Sequence, residues 1–260
     1  MNIFLFETKR QYVSALIWTI ALVLVLWGLT AGVYPSFQTS VSAIRRVVES
    51  FPPSFAEAFG VNVSNLFNFG GFYNFCFGYL SVMGAIMAAS LGISLFAREG
   101  RAKCEDFLFT KPVSRGRIFW IKFLSGLVLL LAANCAYMIV ALALGQVNNT
   151  SMFLPALALF LTQLIIYAIS ILCAVFAHKI RSVSSMATII GFGAFIVSAL
   201  TNILNEPFMR YLDVLKYFEP AHVFSTGNYN VKFVFVAAVV FVLALSAAYA
   251  RFTRKDTKSV

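Results

Sequence analysis

The chain has 260 residues, of which 60% are hydrophobic and 12% charged, and its net charge is +10. A soluble domain carries about 25% charged residues, so this composition excludes a soluble protein of this size. Several uncharged runs reach the ~20 residues with which a helix crosses about 30 Å of hydrocarbon. The excess of basic residues is typical of cytoplasmic loops rather than of nucleic-acid binding. We therefore predict an all-α integral membrane protein.

The chain begins with a short segment, Met1–Tyr12, ahead of the first long apolar run. Its apolar residues are mixed with Glu7, Lys9 and Arg10, which suits an amphipathic helix at the inner membrane interface. A simple basic flank of the first span fits these residues equally well. The apolar run that follows is too long for the core of a signal peptide, and no clear small-residue cleavage site follows it. We expect it to be a retained first helix.

Six apolar segments are long enough to span a membrane, and we predict a helix for each. Their predicted bounds are Val13–Val33, Phe75–Ala97, Ile118–Leu144, Phe153–Ala177, Val183–Leu204 and Phe233–Ala250. No Asp, Glu, Lys or Arg falls clearly inside a span, whereas ion-coupled carriers and proton relays keep ionisable residues at membrane depth. The uncharged spans therefore argue against an ATP-independent carrier.

Two segments on the predicted outer face are longer than simple connections. In Tyr34–Asn74, apolar residues recur at helical spacing between Val41 and Phe51 and are followed by two prolines that would end a helix. The second segment, Asn205–Lys232, is rich in Tyr and Phe and also contains two prolines. We expect helices along the outer interface from the first segment, and a short re-entrant or interfacial helical pair from the second.

Lys and Arg are divided unevenly between the two sides of these spans. With the N-terminus inside, 15 of the 20 lie inside, while the ten acidic residues divide equally. The five outside are Arg45, Arg46, Arg210, Lys216 and Lys232. Because Lys and Arg favour the cytoplasmic side of a membrane, we predict that both termini are cytoplasmic. The expected location is the plasma membrane of a bacterial cell.

Motifs for catalysis, metal binding and nucleotide binding are absent from the sequence. It contains no HExxH, no GxSxG and no paired carboxylates at membrane depth, so we predict neither a catalytic residue nor a metal site. The four cysteines show no CxxC spacing and are predicted to be structural thiols. The GxxxxGK[ST] phosphate-binding loop is also missing, so any ATP-driven step would need an ATPase on another chain.

The segment Arg98–Arg117 is strongly charged and lies between the second and third spans. Glu99, Lys103 and Asp106 would share one side of a short helix, which a proline at position 112 would end. A serine at 114 can cap the helix that follows. A solvated basic loop would explain the positive charge, but not the acidic residues or the embedded FLFTKPVSR. The segment therefore favours a short polar helix attached to two membrane helices.

These residues resemble the loop after the second span in ABC-2 type transporter permeases. The resemblance is carried by the pattern E-x5-EDFLFTKPVSR from Glu99 to Arg115, followed by I-x3-KF from Ile118 to Phe123. The ETKRQYVSALIW start of the first helix, the outer PPSFAEAFG segment and the six spans agree with it. Family members usually show Gly-Thr before the glutamate, where this chain has Lys103-Cys104.

The resemblance implies the ABC-2 exporter fold, with residues 1–260 forming a single transmembrane permease domain. Besides six transmembrane helices, it implies an N-terminal interfacial connecting helix at 1–12, a cytoplasmic coupling helix within 98–117, and outer-face re-entrant or interfacial helices within 34–74 and 205–232. The coupling helix would dock into a groove of a nucleotide-binding subunit. The residues implied in that contact are Glu99, Lys103, Glu105, Asp106, Phe107, Leu108, Lys111, Pro112 and Arg115, joined by Phe4, Phe6, Glu7 and Lys9 of the interfacial helix.

The resemblance also implies the partners. Two copies of an ABC ATPase subunit would bind ATP and Mg²⁺, and this chain would bind no cofactor itself. A second permease, identical or homologous, would complete the pathway in the lipid bilayer, and no nucleic acid is expected. The exported substrate would be an amphipathic, peptide, lipid-like or drug molecule. The alternatives are an ATP-independent carrier or channel, or a structural membrane subunit that transports nothing.

Overall fold

The computed structural model describes residues 3–52, 66–97, 114–147, 150–177, 180–204 and 206–254. All regular secondary structure within these ranges is helical. Six helices in them are long and apolar enough to cross a membrane. The predicted all-α membrane class and the six predicted spans are therefore confirmed.

Nine α-helices follow one another along the described chain. The six long ones are α1 (Ile3–Trp27), α4 (Phe69–Phe96), α5 (Arg115–Val147), α6 (Phe153–Phe176), α7 (Val183–Leu204) and α9 (Val231–Arg254). The three short ones are α2 (Tyr34–Thr39), α3 (Val41–Glu49) and α8 (Pro220–Thr226). Each predicted span coincides with one long helix, and several helices extend beyond the apolar run because polar flanking residues continue the same backbone hydrogen bonds.

The N-terminal segment is not a separate helix. α1 continues without a break through the predicted junction at Tyr12, and a π-helical turn at Gly28–Val33 then leads into α2. α1 contains neither Gly nor Pro, the residues that most often interrupt a helix. The described part of the predicted interfacial helix at 1–12 is therefore the first turns of the same helix that forms the first span.

The central pair of the bundle consists of α4 and α6, which are the most buried of the long helices. Glycine lets them approach closely. A Cβ on Gly92 would lie 2.0 Å from the hydroxyl oxygen of Ser170, and one on Gly84 would lie 2.8 Å from the side-chain nitrogen of Gln163. Small residues at a crossing allow close packing of membrane helices. Around this pair, α1 packs on α5, α7 on α4, and α9 on α6.

Buried polar side chains connect the central helices to α5. The side-chain amide of Asn134 donates a hydrogen bond of 2.5 Å to Gln163 of α6. The hydroxyl oxygens of Tyr73 in α4 and Tyr137 in α5 lie 2.9 Å apart. An unpaired polar group costs several kcal/mol in hydrocarbon, so these pairs favour one arrangement of the three helices.

The two ends of the bundle differ in structure. At the basal end, α1, α5 and α7 begin, and α4, α6 and α9 end. At the distal end, residues 206–230 form a compact segment, the distal cap, with 3-10 turns at Met209–Tyr211 and Val214–Lys216 followed by α8. The Asn74 side chain accepts a hydrogen bond of 3.0 Å from the Ala221 N–H and so holds α8 on α4. Short helices therefore occur where a helical pair was predicted.

The predicted outer helix between positions 41 and 51 is also present. α3 ends at Glu49, shortly before Pro52. Its Arg45 guanidinium lies 5.2 Å from the centre of the Phe67 ring, a favourable cation–π distance. Residues 54–60, the SFAEAFG part of the outer segment that supports the resemblance, lie outside the described residues.

Candidate coupling face at the basal end

Most of the predicted coupling residues lie in segment 98–113, outside the described residues. They are Glu99, Lys103, Glu105, Asp106, Phe107, Leu108, Lys111 and Pro112. The structure does describe the two stems from which this segment departs. The first stem is the end of α4 at Phe96, followed by Ala97, and the second is the start of α5 at Arg115, preceded by Ser114. The chemistry of these stems and their neighbours defines the candidate site.

A buried lysine joins the two stems. Lys122 of α5 is only 1% exposed, and its ammonium donates a hydrogen bond of 2.7 Å to the carbonyl oxygen of Leu95 in the last turn of α4. Carbonyl oxygens in the last turn of a helix lack helical partners and carry the negative end of the helix dipole, so a cation is favourable there. The same ammonium lies 5.8 Å from the centre of the Phe96 ring. Lys122 therefore ties α5 to the end of α4.

Arg115, the one predicted coupling residue that the structure describes, makes a similar contact with α9. Its Nη1 donates a hydrogen bond of 3.4 Å to the carbonyl oxygen of Thr253 in the last turn of α9. Two basic side chains of α5 thus lie on the C-terminal carbonyls of two neighbouring helices. This arrangement draws the basal ends of α4, α5 and α9 together.

Aromatic rings fill the space between these three helix ends. The Phe119 ring centre of α5 lies 5.1 Å from that of Phe96 and 5.6 Å from that of Phe252. Tyr249 packs edge-on against Phe119 at 5.3 Å. Such tilted and edge-to-face contacts are the favoured geometries of aromatic pairs. We call Phe96, Phe119, Tyr249 and Phe252 the basal aromatic cluster.

One glycine gives the Tyr249 side chain room beside α5. A Cβ on Gly116 would lie 2.7 Å from the Tyr249 hydroxyl oxygen. A side chain at this position would therefore crowd the Tyr249 hydroxyl. Gly116 lies directly beside Arg115, so the close approach of α9 and the hydrogen bond to Thr253 occur in the same turn of α5.

The residues predicted on the interfacial helix divide between two environments on α1. Glu7 is buried, Phe4 is half-buried, and Phe6 and Lys9 are exposed. The Ser125 hydroxyl of α5 donates a hydrogen bond of 3.5 Å to the Phe4 carbonyl oxygen, which places the start of α1 beside α5, about 15 Å along that helix from the second stem. Of the four predicted residues, Phe6 and Lys9 therefore offer the accessible surface, whereas Glu7 packs into the bundle.

The structure adds a contact that the count of charges did not show. Lys122, one of the 15 basic residues assigned to the inner side, is a buried part of α5. The sequence does contain a signal for this burial, because Lys122 follows four residues after Ile118 and is surrounded by aromatic and aliphatic residues. The roles of Phe119, Tyr249 and Phe252 were not predicted, since apolar residues in a membrane helix face lipid and protein alike.

The described residues contain no group of three or more His, Cys, Asp or Glu side chains that could hold a metal ion. The cysteines in the same ranges, Cys76, Cys135 and Cys173, are free thiols.

Comparison with protein families found a match to the family described as ABC-2 family transporter protein, over residues 66–251. The matched range covers more than half of the chain. It includes both stems, the segment between them, and the distal cap. Comparison with curated proteins and with solved structures found no significant match.

Proposed function

The chain belongs to the ABC-2 family of transporter proteins and is a multi-pass membrane permease, and from this premise we propose that it is the transmembrane subunit of an ABC exporter driven by a separate ATPase subunit. The observation that carries the proposal is the joint between the two stems of segment 98–113. A cytoplasmic loop can transmit a displacement to the membrane helices only if the two helix ends that flank it are held rigidly together. The Lys122–Leu95 hydrogen bond and the basal aromatic cluster supply that stiffness.

In this proposal the segment docks on the ATPase and receives its movement. Glu99, Glu105 and Asp106 offer carboxylates to the partner groove, and the exposed Phe6 and Lys9 of α1 lie on the same end of the bundle. ATP and Mg²⁺ bind to the ATPase. Closure of two ATPase subunits displaces the segment, and the joined stems carry α4 and α5 along as one unit.

Two permease subunits, identical or homologous, would form the pathway between them. Both termini would be cytoplasmic in a bacterial plasma membrane, as the excess of Lys and Arg on that side favours. The cargo would be an amphipathic, peptide, lipid-like or drug molecule, because the spans offer apolar and aromatic walls rather than charged ones. The direction of transport would be export.

The test replaces acidic residues of the segment and follows the partner. The double substitution Glu105→Lys with Asp106→Lys should abolish co-purification of the ATPase in mild detergent, while the permease still inserts into the membrane. Reversing two charges in a docking surface places like charges opposite each other, which costs several kcal/mol.

A matched control makes the same charge change at the predicted outer segments, with Glu57→Lys and Glu206→Lys. This variant should retain the ATPase. The proposal is contradicted if the segment variant still binds the ATPase, or if both variants lose it to the same extent.

A further inference from the structure

α9 connects the two ends of the bundle without interruption. It has 24 residues, which at 1.5 Å per residue makes it about 36 Å long. Its sequence, VKFVFVAAVVFVLALSAAYARFTR, contains neither Pro nor Gly, the residues at which helices most often kink. It also packs along the central helix α6. α9 is therefore suited to move as a stiff body.

At its basal end, α9 is held by both stems of segment 98–113. The ring centre of Phe252 lies 5.9 Å from that of Phe96 on the first stem and 5.6 Å from that of Phe119 on the second. Phe252 is buried, and the next residue accepts the hydrogen bond from Arg115. A displacement of the stems would therefore displace the end of α9.

At its distal end, the first turn of α9 carries the distal cap. The Tyr217 ring stacks on Phe233, with planes 15° apart and centres 6.0 Å apart. The Tyr211 ring centre lies 5.6 Å from Phe233, and the Arg210 guanidinium lies 4.6 Å from the ring centre. Phe233 is itself buried. One side chain of α9 thus contacts residues in and beside both 3-10 turns of the cap.

We propose that α9 is a connecting rod that carries displacement of the coupling segment to the distal cap, with Phe252 and Phe233 as positioning residues at its two ends. The inference rests on the proposed function, because it assigns a route to a movement that an ATPase would start. Packed interiors transmit displacement since they are dense and have few voids. α7 also leads into the cap, but it contributes no ring to the basal aromatic cluster.

The first arm of the test needs no ATPase. In the purified permease in lipid nanodiscs, Phe252→Ala should raise hydrogen exchange about 10-fold or more at backbone amides 93–97 and 118–123, because the packing that holds both stems is lost. Phe235→Ala is the matched control, since it makes the same change in α9 at a ring that is 70% exposed. If hydrogen exchange at both stems is unchanged in Phe252→Ala, the proposed role of α9 is contradicted, whether or not the protein transports.

The second arm uses the complex with the ATPase. A cysteine introduced by Asn228→Cys, in the exposed part of the distal cap, should label at a rate that changes when ATP is added. Phe252→Ala and Phe233→Ala should each reduce this change about fivefold or more, and the double variant should show no further loss, as expected for two residues that act in series. Phe235→Ala should retain the full change, and Phe252→Leu should restore part of it.

The outcomes separate the rod from the proposed function. An ATP-dependent change that persists in Phe252→Ala overturns the rod, and so does a complex in which ATP changes nothing at the cap. Loss of ATPase binding in Phe252→Ala also counts against it, because a positioning residue should uncouple the partner without releasing it. If no ATPase associates with the unmodified permease, the proposed function is contradicted. The hydrogen-exchange result still shows whether Phe252 holds the two stems together.

Discussion

Burial of Asp213 in the distal cap makes this carboxyl group sensitive to pH. Asp213 is fully buried, and its Oδ1 accepts a hydrogen bond of 3.2 Å from the Leu215 N–H. Burial raises its pKa from 3.8 to about 6, although the Ser198 hydroxyl and the Lys216 ammonium lower it. The charge of Glu219 acts in the same direction as burial. The folded cap therefore binds a proton more tightly than the unfolded chain does.

We predict that the distal cap becomes less stable as the pH rises from about 4 to about 6. An acid whose folded pKa is raised contributes stability that is complete below its unfolded pKa and is lost as the pH rises through its folded pKa. A shift of this size corresponds to an opening equilibrium that changes up to about 100-fold across that window. Hydrogen exchange of residues 206–230, corrected for the intrinsic effect of pH on exchange, measures it.

Two substitutions show whether Asp213 is responsible. Asp213→Asn should remove the pH dependence, so that hydrogen exchange of the cap at neutral pH is as slow as it is at acidic pH after correction for the intrinsic rate. Glu219→Gln should leave the dependence largely in place, because Glu219 is partly exposed and lies 3.4 Å from Arg210 in an ion pair. A pH profile that survives in Asp213→Asn would show that another group controls the cap.

At the scale of the helix, two glycines in α7 separate a packed face from an open one. A Cβ on Gly191 would lie 2.4 Å from Cγ1 of Ile86 in α4, whereas nothing lies within 4 Å of a Cβ on Gly193. Residues two apart on a helix point about 200° away from each other. Gly191 therefore lies at the contact with α4, and Gly193 points away from it.

We predict that Gly191→Val destabilises the bundle by about 1–3 kcal/mol, the usual cost of forcing extra atoms into a packed interior. Gly193→Val adds the same isopropyl group where a Cβ has no neighbour within 4 Å, and it should change stability by less than about 0.5 kcal/mol, as most substitutions away from packed contacts do. Thermal denaturation of the two variants in one detergent measures the difference. Equal effects would mean that the close contact of α7 with α4 does not limit stability.

The long helices could be predicted from the sequence because hydrocarbon imposes length and the absence of charge on each span. The contacts between them could not. Phe96, Phe119 and Phe252 are far apart in the chain, and an apolar side chain suits lipid as well as a helix neighbour. Lys122 was counted as a charge on the inner side of the membrane, and the sequence did not show that it donates a hydrogen bond to a carbonyl oxygen at the end of another helix. Because every residue has a backbone carbonyl group, the sequence does not show which one accepts a hydrogen bond.

At the N-terminus, the charges at Glu7, Lys9 and Arg10 fitted either an interfacial helix at 1–12 or a basic flank of the first span. Charge alone does not interrupt backbone hydrogen bonds, and no Gly or Pro is present to do so. The sequence therefore indicated where the polar turns of α1 lie. The helix is continuous because it contains no residue that interrupts helices.

For the whole molecule, surface composition and charge describe how the bundle sits in a membrane. Large apolar side chains are exposed along α1, α7 and α9, among them Ile17, Ile189 and Phe235. A soluble protein rarely exposes so much apolar surface, whereas lipid tails favour it. Most of the Lys and Arg residues that the structure describes lie at the basal end. The two ends should therefore face different compartments.

We predict that the basal end is cytoplasmic and the distal cap external, because Lys and Arg near the spans favour the cytoplasmic side. Cysteines at the exposed positions Asn228, just before α9, and Arg254, at its end, report both ends of this single helix. With a membrane-impermeant maleimide, Asn228→Cys should label in intact cells, and Arg254→Cys only after permeabilisation. The unsubstituted protein supplies the blank for its own thiols. The reverse pattern would place segment 98–113 outside the cell, away from ATP, and would contradict both the orientation and the coupling of this end to an ATPase.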